Sequence, residues 1–354
     1  MRGLVLEGVR QVAYRTDLPD PTIQEPLDAI VAVRRAGLCG SDLHPYEGRE
    51  AVRFGVVPGH EVVGEVAAVG SGVARFRPGD RILVPFTTSC GACPACREGL
   101  SARCRHGSVL GYGPADDPDA PALGGGQAEL VRVPLADATL VRAPEALTDT
   151  DAILLTDNLP TGWYAAERAD MAAGDTVAVV GLGSVGLCAV VAARALGAGC
   201  ILGVDPVEHR RRRAEELGAT ALHPDAARDA VASLPGAGQG AAAVIEAAGT
   251  PPAQALAYAL LRPGGTLSVI AVQTSRRFGF TPAEAYDANL TVRFGRAPVR
   301  SVLDRLLPRL ERGELSVPGR LVVTHPEMPL SDGPDTYRRF AAREPGMVKA
   351  VFVP

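Results

Sequence analysis

The chain has 354 residues, 47% of them hydrophobic and 21% charged, with a formal net charge of −4. That length suits two domains of ordinary size with apolar cores of their own, so disulfides are not needed to hold the fold. The acidic balance argues against nucleic acid or an anionic membrane as the main partner. No apolar run approaches the roughly 20 residues of a spanning helix.

In chain order, the N-terminal MRGLVLEGVRQVAY alternates like a strand and lacks the apolar stretch and small-residue cleavage site of a signal peptide. A cytoplasmic protein with reduced cysteines is expected. Two glycine-flanked stretches follow, AGLCGSDLH and PGHEVVGEVAAVG. They carry Cys39 and His60, ligand types that suit zinc. Each is followed by an acid, Asp42 and Glu61, and metal-bound imidazole usually gives its second N–H to a carboxylate or carbonyl.

Next, CGACPACREGLSARC holds Cys90, Cys93, Cys96 and Cys104. Gly91, Pro94 and Gly99 keep this stretch turning, which predicts a lobe rather than a helix or strand. Thiolates at such spacing can converge on one tetrahedral ion, with Zn–S of about 2.3 Å. Four sulfurs leave no vacancy for substrate, so a structural zinc is predicted. A redox C-x-x-C is disfavoured, since no thioredoxin-like strand precedes it and two cysteines would be left over. The segment Gly111 to Pro134 reads as an exposed loop returning to a strand. Beyond it, in LLTDNLPTGWYAAERA, Asp157 stands at a break between two apolar stretches. Cys39, His60 and Asp157 together would leave one coordination position open, as a catalytic zinc requires.

TVAVVGLGSVGLCAVVAARALGA then supplies a β-branched strand, the pattern Gly181-x-Gly183-x-x-Gly186 and a helix, with a second strand ending at Asp205. In that setting the glycines permit a tight turn and close approach of a pyrophosphate to a helix N-terminus. Asp205 would accept ribose hydroxyls and repel a 2′-phosphate, which predicts NAD rather than NADP. The run His209 to Arg213 contains four arginines. Four successive helical residues point round more than a full turn, so they cannot share one phosphate. The alternation continues through AAAVIEAAG and GGTLSVIAV, predicting a doubly wound parallel sheet.

These motifs, in this order, resemble the zinc-dependent medium-chain alcohol dehydrogenases over nearly the whole chain. The resemblance implies an α/β protein of two domains. A GroES-like, mostly β catalytic domain would take residues 1–156 and 297–354. A Rossmann domain binding NAD would take 157–296, with the active site in the cleft between them. It implies a catalytic zinc on Cys39, His60 and Asp157, with Glu61 entering as a fourth ligand when no substrate is bound. Aspartate at 157 fits some branches and not the animal liver-type branch. The lobe would hold the second, structural zinc.

The resemblance also implies that Ser41 receives the alcohol proton, which passes through the cofactor ribose to His44. With an unperturbed pKa near 6.5, loss of His44 would slow the reaction mainly at low pH. Phe86 would line the substrate pocket. Thr161 and Lys349 would lie near nicotinamide and pyrophosphate, Arg210 beside the ribose, and Gly181, Leu182, Gly183 and Gly186 around the phosphates. The reaction implied is hydride transfer between an alcohol carbon and NAD, giving an aldehyde or ketone. LTVRFGRAPVR is similar to the formaldehyde dehydrogenase-like branch, with threonine and polyol dehydrogenases as relations. The partners implied are a small-molecule alcohol or carbonyl compound and further copies of the chain, as a homodimer or homotetramer. A zinc-free quinone or enoyl reductase of the same fold would lack the ligand pair. A zinc-ribbon binder of nucleic acid would want a basic, aromatic surface, whereas aromatics make up 5% here.

Overall fold

In the computed structural model, which describes residues 1–112, 122–233 and 240–354, the apolar run AIVAVRRAGL forms the strand Ala29–Leu38. It pairs with Glu61–Val69, Leu130–Val133 and Ala350–Val353, all antiparallel. Three neighbours make it the axis of a seven-stranded sheet, completed by Arg81–Val84, Val141–Arg142 and His325–Pro329. The N-terminal alternation forms a hairpin, Gly3–Gly8 with Gln11–Arg15. The inward residues, among them Leu4, Val31, Leu38, Val62, Ile82 and Phe352, build the core of this unit.

The register decides what sits at the end of the central strand. Gly37 faces Glu61, and Leu38 faces Ala350. The pairings bring Cys39, just past one strand, beside His60, just before another, with Lys349 preceding a third. Gly37 is required there: a Cβ on it would fall 1.8 Å from Glu61 Oε2.

The second unit is a six-stranded parallel sheet. Its spatial order is Thr220–Leu222, Cys200–Val204, Thr176–Val180, Ala241–Glu246, Leu261–Val269, Thr291–Phe294. The chain thus winds outward from Thr176–Val180 one way and from Ala241–Glu246 the other, the doubly wound arrangement. Val180, Leu202, Val244 and Leu267 belong to its core.

The units comprise Met1–Asp157, Pro298–Pro308 and Val323–Pro354 on one side, and Asn158–Ala297 with Arg309–Val322 on the other. The expected bounds, 1–156 with 297–354 and 157–296, differ from this division at Asp157, which groups with the first unit, and at Ala297 and 309–322, which group with the second. Arg309 stacks over the Trp163 ring at 5.2 Å, and Arg213 donates to the Leu321 carbonyl at 2.8 Å. The predicted loop from Gly111 to Pro134 lies in part outside the described residues, and its later part forms the strand Leu130–Val133. Among the described residues no helix is long and apolar enough to cross a membrane.

Candidate functional site

Cys39, His60, Glu61 and Asp157 are all buried, and one donor atom from each lies within 4.8 Å of the others. Asp157 Oδ2 is 3.6 Å from both Cys39 Sγ and His60 Nε2. Asp157 reaches this place because the buried turn Ile153–Leu155 precedes it, and helix Asn158–Arg168 follows. Asp42 orients the cluster. Its Oδ1 is 3.1 Å from His60 Nδ1, and its Oδ2 accepts the Cys39 backbone N–H at 2.8 Å. His60 Nε2 is therefore the nitrogen that faces Cys39 and Asp157. Burial works against a charged imidazole, but Asp42 and Asp157 hold its pKa well above the ordinary value. Burial, then Asp157, push the Cys39 thiol up.

Two acids and a thiol around one imidazole need a cation to be held together without water. Lys349 answers part of that need. Its ammonium is fully buried, bonds the Leu38 carbonyl at 3.3 Å and pairs with Glu61. Burial, the largest single influence, works against its charge, but Glu61, Cys39 and Asp157 together raise its pKa. Lys349, expected near a pyrophosphate, has its ammonium in this structure against the buried Glu61 carboxylate, which needs a counter-charge.

Ser41 Oγ lies 3.3 Å from His60 Nε2. Sequence reasoning missed Tyr112, whose hydroxyl donates to the Ser41 carbonyl at 3.2 Å. Its ring and that of Phe86 lie 6.1 and 6.0 Å from the His60 ring. An aromatic residue at a loop edge carries no signal by which to find it. His44 departs from the ordinary imidazole. Arg49 Nη1 donates to its Nδ1 at 2.7 Å. Partial burial, then the Arg49 charge, lower its pKa to about 4. The sign is that of a group held neutral: His44 is uncharged throughout pH 5 to 8 and gains a proton only near pH 4. His44→Ala should lower kcat by one constant factor between pH 5 and 8, and Arg49→Ala should move an acid limb upward only in part, since burial, the larger cause, remains. A pH-rate profile of the two variants checks this.

The four-cysteine stretch folds as predicted, into a lobe with short helical turns at Pro94–Arg97 and Ser101–Arg103. The Sγ atoms of Cys90, Cys93, Cys96 and Cys104 all lie within 4.8 Å of one another. Backbone N–H groups also point at sulfur, from Cys93 to Cys90 at 3.3 Å and from Cys90 to Cys104 at 3.2 Å. The Cys96 backbone N–H leads in pulling the Cys93 thiol down to about 6. Such a donor set suits a thiophilic ion.

In the other unit, Gly181 has φ +94°, where a side chain would strain. A Cβ on Gly186 would fall 1.8 Å from the Gly181 carbonyl oxygen, so this glycine lets helix Ser184–Ala195 close on the strand. Gly183 differs: a Cβ there would meet no protein atom within 4 Å. Among the described residues nothing demands glycine at 183, and a ligand approaching the backbone would. Asp205 Oδ2 accepts the Leu182 N–H and Oδ1 the Val207 N–H, both at 2.8 Å. The Leu182 N–H is thus committed to Asp205, which clamps the glycine turn. Arg210 lies 3.7 Å from Asp205. The other arginines disperse: Arg211 bonds the Asp205 and Pro206 carbonyls, Arg212 pairs with Glu208, and Arg213 reaches Leu321. Thr161 is buried in helix Asn158–Arg168.

Residues 25–145 match the family described as alcohol dehydrogenase GroES-like domain, and residues 184–308 match zinc-binding dehydrogenase. A Mycobacterium tuberculosis chain named as a probable zinc-binding alcohol dehydrogenase is 39% identical over 343 residues, covering 97% of this chain and 86% of its own. The solved alcohol dehydrogenase TADH from Thermus sp. ATN1 superposes with a TM-score of 0.90 at 38% identity, covering 100% of this chain and 99% of its own. A Sinorhizobium meliloti structure of the zinc-binding dehydrogenase type, solved bound to NADP, gives 0.81 at 28% identity, covering 100% and 99%.

Proposed function

The chain belongs to the zinc-dependent medium-chain alcohol dehydrogenases, and we propose that it oxidises a small alcohol, or reduces the matching carbonyl compound, with NAD as hydride carrier. The observation that carries this is the convergence of Cys39, His60, Glu61 and Asp157 in one buried cluster. The donors fit zinc: a thiolate and a carboxylate balance its two charges, and an imidazole completes a set of three with a position to spare. Cys39, His60 and Asp157 would hold it, with Glu61 as the donor in reserve. Zinc there supplies Lewis acidity, which lets an alcohol lose its proton near neutral pH. Ser41 Oγ, next to His60 Nε2, would relay that proton, taking it up while its own hydroxyl hydrogen passes to the cofactor ribose. Tyr112 fixes the Ser41 carbonyl and so the direction of that hydroxyl. With Nδ1 accepting from Arg49, neutral His44 carries its hydrogen on Nε2. Phe86 supplies an apolar wall beside His60.

The second site fits a dinucleotide, because Gly181 and Gly186 meet internal demands and Gly183 leaves room for a phosphate. Each Asp205 oxygen keeps a lone pair beyond its backbone bond, available to ribose hydroxyls. NAD is the reading because a 2′-phosphate would face this carboxylate, with Arg210 alone of the run beside it. The S. meliloti structure holds NADP, so the preference is a point to measure. The kcat/KM for NAD should exceed that for NADP by about two orders of magnitude, and Asp205→Asn should narrow the ratio about tenfold.

The lobe would hold the structural zinc. Cys93→Ser is expected to release one zinc per subunit, lower the melting temperature and expose residues 90–107 to protease. Metal analysis with limited proteolysis reads both. Cytoplasmic residence is supported by the clustered thiols of Cys90, Cys93, Cys96 and Cys104, which suit a metal under reducing conditions. Association as a dimer or tetramer is the family's habit, and light scattering would measure it. A screen of primary, secondary and polyhydric alcohols with NAD, followed by NADH absorbance and paired with zinc analysis, tests the proposal as a whole. Turnover by metal-free protein would overturn it.

A further inference from the structure

One buried carboxyl takes no part in the chemistry described so far. Glu246 ends the strand Ala241–Glu246 and is fully shielded from solvent. Its Oε1 accepts the backbone N–H groups of Ala248 at 2.8 Å and Gly249 at 2.7 Å, folding the side chain over the end of its own strand. Its backbone carbonyl accepts from Ile270 at 3.0 Å, and the next residue, Ala247, donates to the Val180 carbonyl at 2.9 Å. The ends of three adjacent strands, Thr176–Val180, Ala241–Glu246 and Leu261–Val269, are therefore tied together at this residue. A buried carboxyl is unfavourable in itself, and burial raises its pKa. Its presence calls for a reason in the bonds it makes.

The turn it holds is placed where the sheet reverses its order, the crevice in which open α/β sheets bind ligands. That turn also backs the glycine loop. A Cβ on Gly181 would fall 2.9 Å from both the N and Cβ of Ala248, and one on Gly249 would fall 2.7 Å from the Val272 carbonyl. Gly181 and Gly249 both have left-handed φ, +94° and +71°. If the two N–H bonds were lost, the turn could move, and the loop packed against it would lose its backing.

Resting on the dinucleotide-site reading above, we propose that Glu246 is a positioning residue for cofactor binding. Its carboxyl fixes the Ala247–Gly249 turn against Gly181 and so keeps the glycine loop in the shape that receives the phosphates.

The test is NADH binding by fluorescence titration of the purified protein. No binding by wild type would overturn the dinucleotide reading and this inference with it. Given wild-type binding, Glu246→Ala should raise the Kd about tenfold or more, the scale of a lost hydrogen-bonding acceptor that leaves buried donors unpaired. At saturating NAD its kcat should stay within about threefold of wild type, which separates positioning from chemistry. Glu246→Gln keeps an acceptor oxygen at the same reach and should hold Kd within about threefold of wild type. Folded Glu246→Ala with wild-type Kd overturns the proposal. So does Glu246→Gln that binds as weakly as Glu246→Ala. If Glu246→Ala does not fold, Glu246→Asp, one methylene shorter, is read by the same criteria.

Discussion

Asp157→Asn should leave a folded protein that has lost one of its two zinc ions per subunit and about three orders of magnitude in kcat/KM, the scale of some 4 kcal/mol of transition-state stabilisation. The substitution is nearly isosteric, so packing at this buried position should survive. What changes is charge and donor strength. Asp157 Oδ2 stands 3.6 Å from both Cys39 Sγ and His60 Nε2, and an amide oxygen there balances no cation. With the carboxylate gone, the remaining donors are one thiol, one imidazole and a Glu61 already paired with Lys349. That set is weaker for zinc and overall less negative. Asp157→Cys should restore both metal and turnover in large part, because a thiolate supplies the same charge and a donor that zinc accepts. Inductively coupled plasma metal analysis and initial rates read the two outcomes. Two zinc ions in Asp157→Asn would remove Asp157 from the ligand set. Loss of the lobe's zinc instead would mean the two sites are coupled through folding.

Much of this site could be read from the chain because its parts are local patterns. Four cysteines in one short lobe and glycines between a strand and a helix carry their chemistry within a few residues. Cys39, His60 and Asp157 were legible singly, and the sheet register explains why the first two meet: Gly37 opposite Glu61 sets one strand's end against another's start. What was not legible depends on side chains meeting across long separations. Lys349 has no neighbour in sequence that marks it as partner to Glu61. Arg49 could have turned to solvent, and its contact with His44 Nδ1 moves that imidazole away from its ordinary titration range. The Leu182 N–H looked available to phosphate, yet Asp205 takes it. Residues 309–322 lie late in the chain and looked like part of the returning tail. Their place with the cofactor unit comes from Trp163 and Leu321 contacts that no periodicity announces.

Lys349→Met is expected to cost about 3–5 kcal/mol of stability, the usual loss when one partner of a buried ion pair is removed. Both side chains are fully buried, so water cannot replace the ammonium. Two effects oppose each other at Glu61. Burial raises its pKa, while the Lys349 charge lowers it. Removing Lys349 leaves burial in charge, so Glu61 must either take up a proton or stay ionised beside Asp157 and Cys39. A double variant, Glu61→Gln with Lys349→Met, removes both charges and should recover about 2 kcal/mol of the loss, since replacing a whole buried pair is far less damaging than breaking it. Activity separates the two fates of Glu61. An ionised Glu61 without its lysine is free to occupy the coordination position meant for substrate, so kcat should fall while zinc content holds. A protonated one should spare kcat and make stability fall as pH rises through neutrality, because the folded state then holds a proton that the unfolded chain releases. Urea unfolding of the three proteins, with zinc content and kcat measured alongside, decides between them. Wild-type stability in Lys349→Met would show that Glu61 is neutral at rest and that the cluster needs no counter-charge from this lysine.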